Sequence, residues 1–206
     1  MGSPPALGLR DRKRAETRAN LERAATGIVL RHGLDHATID AISESADVSP
    51  RTFFNYFDCK EDAILGTQNV EVTEEMVRAH HREGDLISSI VGVLLDVMAP
   101  TLGSAALHAV RVQIAREYPE LFSRKMAQMT RIMDGLAVAV RSLMADDPRF
   151  SDEESRAPLA DSIVALCGSA VRTAIREWVA AGSTTTVLEI HERAVGLARD
   201  VVALLR

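Results

Sequence analysis

The side chains best suited to chemistry lie in one short run, VSPRTFFNYFDCK, which carries Ser49, Arg51, Thr52, Asn55, Tyr56 and Lys60. Arg51 and Asn55 are four residues apart, so a helix puts both on one face. A guanidinium can pair with guanine, and a carboxamide with adenine, through two hydrogen bonds each. The hydroxyls of Thr38, Ser49, Thr52 and Tyr56 and the ammonium of Lys60 suit phosphate oxygens, which hold a protein in register without reading sequence. Helix N-termini at Thr38 and Lys60 would add N–H donors for phosphate. This chemistry is recognition, not catalysis. The chain has no G-x-S-x-G, no glycine-rich phosphate loop and no HExxH, so no enzyme is expected. His80, His81 and His108 have no carboxylates or cysteines at ligand spacing, and neither a metal nor a cofactor is expected.

These groups need a short helix to present them. Ser49 can cap its N-terminus, and Pro50 fits the first helical position, where its missing N–H costs nothing. Val48 and Phe53 fall at the two positions of a hydrophobic staple. The spacing turns Val48, Phe53 and Phe57 inward and Pro50, Arg51, Thr52, Phe54, Asn55 and Tyr56 outward, on a helix from Pro50 to about Phe57. Asp47 and Val48 make the turn before it. The preceding helix is capped by Thr38 and faces inward through Ile39, Ile42 and Ala46. A supporting helix from Arg10 to His32 has the apolar stripe Leu21, Ala25, Ile28, Val29 and His32, with Gly33 as a left-handed cap. Helix, tight turn, helix is the helix-turn-helix pattern.

The stretch ATIDAISESADVSPRTFFNYFDCKEDAILG resembles the N-terminal signature of the TetR (tetracycline-repressor-like) family of transcription regulators. The resemblance covers Ala15 to Gly66. The family pattern has Gly where Asp47 stands, Tyr where Phe54 stands and Ser where Cys59 stands. Asp tolerates the left-handed region better than most residues, so the turn survives. Phe54 cannot donate to a phosphate, and Tyr56 is expected to take over that contact. Asp40 near the same face is unfavourable to phosphate and is left unassigned. Cys59 opens a helix, where a thiol pKa can fall; a plain replacement of Ser is the simpler reading than a redox switch.

From Lys60 onward the pattern is helical: residues 60–82, Leu86 to Met98 ended by Pro100, Leu107 to Tyr118, Leu121 to Met144, 156–181 after a polar loop from Asp146 to Ser155, and a last helix that begins after Ser183–Thr186 and reaches Leu205. That gives an all-α chain of about nine helices, divided into an arm (1–9), a reading head (10–59) and a larger regulatory part (60–206). The resemblance implies a two-fold homodimer through the last two helices. Their broad apolar arcs offer Leu159, Ile163, Leu166, Leu188, Val195 and Val202. It also implies a ligand cavity, with Leu94, Met98, Met126, Met129, Met133 and Trp178 as candidate walls. The implied function is a repressor on double-stranded DNA, leaving a palindromic operator when a small apolar or amphipathic effector binds. The alternatives are a helical sensor or scaffold answering to redox state or a partner, with no small-molecule inducer, and, ranked behind it, a helical enzyme.

Charge and composition agree. The net charge is -5, but residues 1–60 hold nine Lys/Arg against eight Asp/Glu, while the remainder holds fifteen against twenty-one. The basic cluster Arg10, Arg12, Lys13 and Arg14 opens the chain's more positive part. Two cysteines without a CxxC suit a reducing compartment. The N-terminus has no apolar core of a secretory signal. The most apolar stretch, Leu86 to Val110, is broken by Asp96, Pro100 and Gly103, so no membrane association is expected and a cytoplasmic protein is.

Overall fold

The computed structural model describes residues 8–67, 70–81, 85–182 and 186–204, without the side chains of residues 9 and 99–101. The described residues form α-helices and short 3-10 turns and no strand. The helices are α1 (Leu9–His32), α2 (Ile39–Ser45), α3 (Pro50–Phe53), α4 (Lys60–Leu65), α5 (Glu74–His80), α6 (Leu86–Leu102), α7 (Ala105–Glu117), α8 (Pro119–Ala145), α9 (Glu153–Ala181) and α10 (Val187–Leu204). The expected arm lies outside the described residues, except that Gly8 caps α1 and Leu9 opens it.

Three expected elements differ, the first being the helix expected from Pro50 to about Phe57, which stops at Phe53. The helix read across residues 60–82 is two helices. Gly66 ends α4 in the left-handed conformation, φ 69°, and Thr73 starts α5 by accepting from the Met76 N–H at 3.3 Å. A side chain at Gly66 would put its Cβ 2.3 Å from the guanidinium carbon of Arg111, so both conformation and close approach require glycine here. Pro100 does not end α6, which runs to Leu102. The last helix opens on a capping box: the Thr186 hydroxyl accepts from the Glu189 N–H, and the Glu189 carboxylate accepts from the Thr186 N–H. The other residues of that expected cap signal, 183–185, and Leu205 lie outside the described residues.

The chain divides into two compact units, residues 1–68 with 107–125, and residues 69–106 with 126–206. The expected boundary after residue 59 is therefore not where the packing divides. Ala63, Ile64 and Leu65 of α4, Ile114 and Ala115 of α7, and Leu121 of α8 share one core with Leu21, Ala25, Ile42, Phe53 and Phe57. His32 of the expected stripe is exposed, and Glu22 and Thr26 are buried on α1 instead.

The second unit is centred on Val91, Leu94, Leu95, Leu136, Val140, Val164, Cys167, Val171 and Ala194. α9 is long and apolar enough to cross a membrane by length and composition. Yet Ala160, Val164, Cys167, Val171, Ala174 and Ile175 along it are buried in this core. Of the residues considered for an interface, Leu159 and Leu188 are exposed, Ile163, Leu166 and Val202 are half-buried, and Val195 belongs to the chain's own core.

Candidate nucleic-acid interface

The segment from Thr38 to Lys60 is built by capping. The Thr38 hydroxyl accepts from the Ala41 N–H at 3.2 Å and the Ser49 hydroxyl from the Thr52 N–H at 3.1 Å, each satisfying a donor that the helix leaves open. Pro50 follows Ser49, and Phe53, at 0 % exposure, is packed with the half-buried Val48 in one core, as a staple requires. Between the two helices Asp47 takes φ 55°, the one non-glycine positive φ among the described residues. Regular helix α3 stops at Phe53, and the chain tightens into turns in which Asn55 N–H reaches the Thr52 carbonyl and Tyr56 N–H the Phe53 carbonyl. This tightening brings Phe57 back onto the core, 5.7 Å ring to ring from Phe53.

What remains outside is a compact polar face. Arg51, Asn55 and Phe54 are exposed, as are Thr38 and Ser49. Thr52 is half-buried, its hydroxyl 2.9 Å from that of Ser49. Tyr56 is half-buried against the core, so less of its ring faces outward than the spacing suggests. Lys60 is also half-buried and donates to the Leu34 carbonyl at 3.4 Å, which leaves two of its ammonium hydrogens for another acceptor. Asp40, unassigned from sequence, lies in the first turn of α2, where the helix dipole favours a carboxylate.

Cys59 is not activated. Burial pushes its thiol up to about 12, outweighing the lowering by the Asp62 backbone N–H that a helix start supplies. Its Sγ donates to Asp62 at 3.2 Å. Asp62 also accepts two bonds of 3.0 Å from Arg124 and one of 2.9 Å from Thr67. Burial alone would raise the Asp62 pKa, but these donors hold it below the ordinary carboxylate value.

Arg18 is the residue that sequence reasoning missed. Its guanidinium lies 4.4 Å from the centre of the Phe57 ring and donates to the carbonyls of Tyr56 at 3.4 Å and Thr67 at 3.2 Å. It thereby holds the end of the recognition segment against α1 and the end of α4. Burial lowers its pKa, and the Glu22 carboxylate, 3.0 Å from Nε, works against that. The available signal was the i,i+4 spacing of Arg18 and Glu22, which resembles an ordinary solvated pair.

The candidate walls of an effector cavity are scattered in burial. Leu94 is 1 % exposed, Met98, Met129, Met133 and Trp178 are half-buried, and Met126 is exposed. None of them lines a cleft of about 720 Å³ in the second unit, whose walls include Arg78, Leu86, Leu143, Met144, Asp146 and Phe150.

Residues 23–65 match the model of the bacterial regulatory proteins of the tetR family. The chain is 43% identical over 63 residues to the HTH-type transcriptional regulator TcmR of Streptomyces glaucescens, a match covering 31% of this chain and 28% of that protein. The likeness therefore spans less than a third of either protein.

Proposed function

We propose that this chain, which carries the N-terminal domain of the tetR family of bacterial regulatory proteins, is a cytoplasmic DNA-binding transcription regulator that acts as a homodimeric repressor. The observation that carries the reading is the face formed by Arg51 and Asn55, exposed beside two hydroxyl-capped helix starts and backed by Phe53 and Phe57 in the core. In a helix-turn-helix the first residues of the second helix meet base edges in the major groove. Arg51 suits guanine and Asn55 suits adenine; Thr38, Ser49, Thr52, Tyr56 and Lys60 suit the flanking phosphates.

Leu159 on α9 and Val187, Leu188, Val201 and Leu204 on α10 are large apolar side chains left exposed by the chain's own core. They support a two-fold pairing through α9 and α10, which makes the operator a palindrome. Two heads then enter successive major grooves roughly 34–36 Å apart. A small molecule that binds the mis-spaced arrangement more tightly lowers operator affinity by that difference.

Selection of bound duplexes from a random DNA pool tests the reading. A palindromic consensus is expected. Arg51→Ala and Asn55→Ala are each expected to relax preference at one base pair per half-site, by about 1–3 kcal/mol. Recovery of unselected sequences by the wild type, or an unchanged consensus in both variants, would overturn the assignment.

A further inference from the structure

The first two turns of α1 carry Arg10, Arg12, Lys13 and Arg14, and every residue from Arg10 to Glu16 is exposed, Ala15 included. Thr17 to Asn20 are half-buried, and Leu21 is the first residue sealed in the core. Turns exposed on all sides gain nothing from packing, so the core does not account for their composition. Local helix chemistry does not account for it either. Gly8 gives α1 no side-chain cap, and the positive end of the helix dipole disfavours cations in the first turn. Asp11 has the favourable sign there, and its carboxylate turns back toward Gly8, 3.4 Å from where a side chain at that position would begin. The four basic side chains have no ion pair among the described residues. Four cations against Asp11 and Glu16 leave +2 between Arg10 and Glu16, in a chain of net charge -5. Helical spacing gives this charge a direction. Arg10, Arg14 and Arg18 recur every four residues and form one row along α1. Arg18 fixes one end of the row to the recognition segment, its guanidinium 4.4 Å from the centre of the Phe57 ring and 3.4 Å from the Tyr56 carbonyl. Arg14 and Arg10 follow about 6 and 12 Å farther along the axis, while Arg12, about half a turn from Arg14, points to the other side.

We propose that Arg10 and Arg14 extend the DNA face along α1 and hold backbone phosphates beside the half-site. The inference rests on the regulator reading, which puts Arg51 and Asn55 at base edges. Tyr56, at the end of that segment, then stands at the wall of the groove, where the phosphates run. The arginine row leaves from that point, continuous with the recognition face, and a duplex supplies the dense negative charge that complements it. Phosphate contacts carry no sequence information. Arg10 and Arg14 therefore set affinity and its salt dependence, and Arg51 and Asn55 set the sequence.

The full-length protein is titrated onto its selected duplex and onto an unrelated duplex, from about 50 to 200 mM salt. Each lost phosphate contact flattens the plot of log affinity against log salt by about 0.9, so Arg10→Gln with Arg14→Gln should flatten it by about 1.8 per bound copy. The double variant should bind at least tenfold more weakly at the lowest salt and select the same consensus as the wild type. Arg14→Lys keeps the charge and should keep the slope, which separates lost charge from a damaged helix. Arg12→Gln removes the same charge from the other side of α1 and should flatten the slope by less than about 0.4. An unchanged slope in the double variant, or an Arg12→Gln slope as flat as that of Arg14→Gln, would overturn the proposal. A consensus altered in the double variant would also overturn it, since the row would then read bases. Specific binding by the wild type with an unchanged slope in the double variant sinks this inference and leaves the regulator reading standing. Binding of both duplexes alike, with the slope still flattened in the double variant, does the reverse, and no binding to either duplex sinks both.

Discussion

Glu22 Oε2 lies 2.8 Å from Arg111 Nη2, while Oε1 of the same carboxylate lies 3.0 Å from Arg18 Nε, with Glu22 4 % and Arg111 1 % exposed. One buried anion therefore answers two guanidiniums on helices far apart in sequence. Removing it takes the buried negative charge from beside both cations, whereas removing Arg111 leaves Glu22 paired to Arg18. Glu22→Gln is expected to cost about 3–5 kcal/mol in urea unfolding, and Arg111→Met less than about 2 kcal/mol. Equal losses would mean that Arg18 does not hold the carboxylate by itself.

Asp47 holds φ 55° where glycine would be unstrained. Asp47→Gly is expected to stabilise the protein by about 0.5–1 kcal/mol, and Asp47→Val to destabilise it by about 1–2 kcal/mol, because a β-branched side chain crowds the left-handed conformation. Thermal unfolding of the pair checks this, and two shifts of the same sign would show that the turn adopts another conformation.

Ser49 has a structural role and a proposed recognition role, which charge can separate. Its hydroxyl accepts the Thr52 N–H at 3.1 Å. Ser49→Ala is expected to lose about 1 kcal/mol of stability. Ser49→Asp keeps an acceptor at the cap and should preserve stability, yet it sets a negative charge beside the expected phosphate path. Its operator affinity should fall at least tenfold in a mobility-shift titration at moderate salt.

His108 and Asp62 give the acid limb two separate steps. The folded pKa of His108, about 4, is below its ordinary 6.5, so on acidification the unfolded chain takes up the proton first. Stability should decline from about pH 6.5 to about 4 and then level off for this group. Asp62 is lowered from 3.8, so its contribution is full above that value and is lost as pH falls through its folded pKa. His108→Gln should flatten the upper step in chemical unfolding at graded pH while leaving the lower one.

Local chemistry made the reading head legible in the sequence. Ser49 with Pro50, the staple of Val48 and Phe53, and the cap at Thr38 act over a few residues, and each has its expected geometry. The break at Gly66 was harder to see because the apolar spacing continues beyond it. The left-handed φ of Gly66 ends the helix, and the Arg111 guanidinium, too close for any Cβ there, keeps that position a glycine. Glu22 resembled a solvent-facing residue because the groups that bury it come partly from α7, far along the chain. Val195 and Leu188 fall in the same row of α10 by spacing, yet one is 7 % and the other 65 % exposed, since α10 also packs on its own unit.

That difference sets the final test. Leu188 and Leu159 are 65 % and 46 % exposed, so neither is held by the chain's own core, while Val195 is. If copies of this chain pair through α9 and α10, Leu188→Glu places like charges near a two-fold axis and removes apolar burial worth about 1.5–3 kcal/mol per side chain. The variant should sediment as a monomer at concentrations where the wild type is a dimer, with little change in helicity because the side chain is free within one copy. Val195→Glu should instead unfold the second unit, by burying an unpaired charge. A Leu188→Glu protein that remains dimeric would move the pairing surface away from this face.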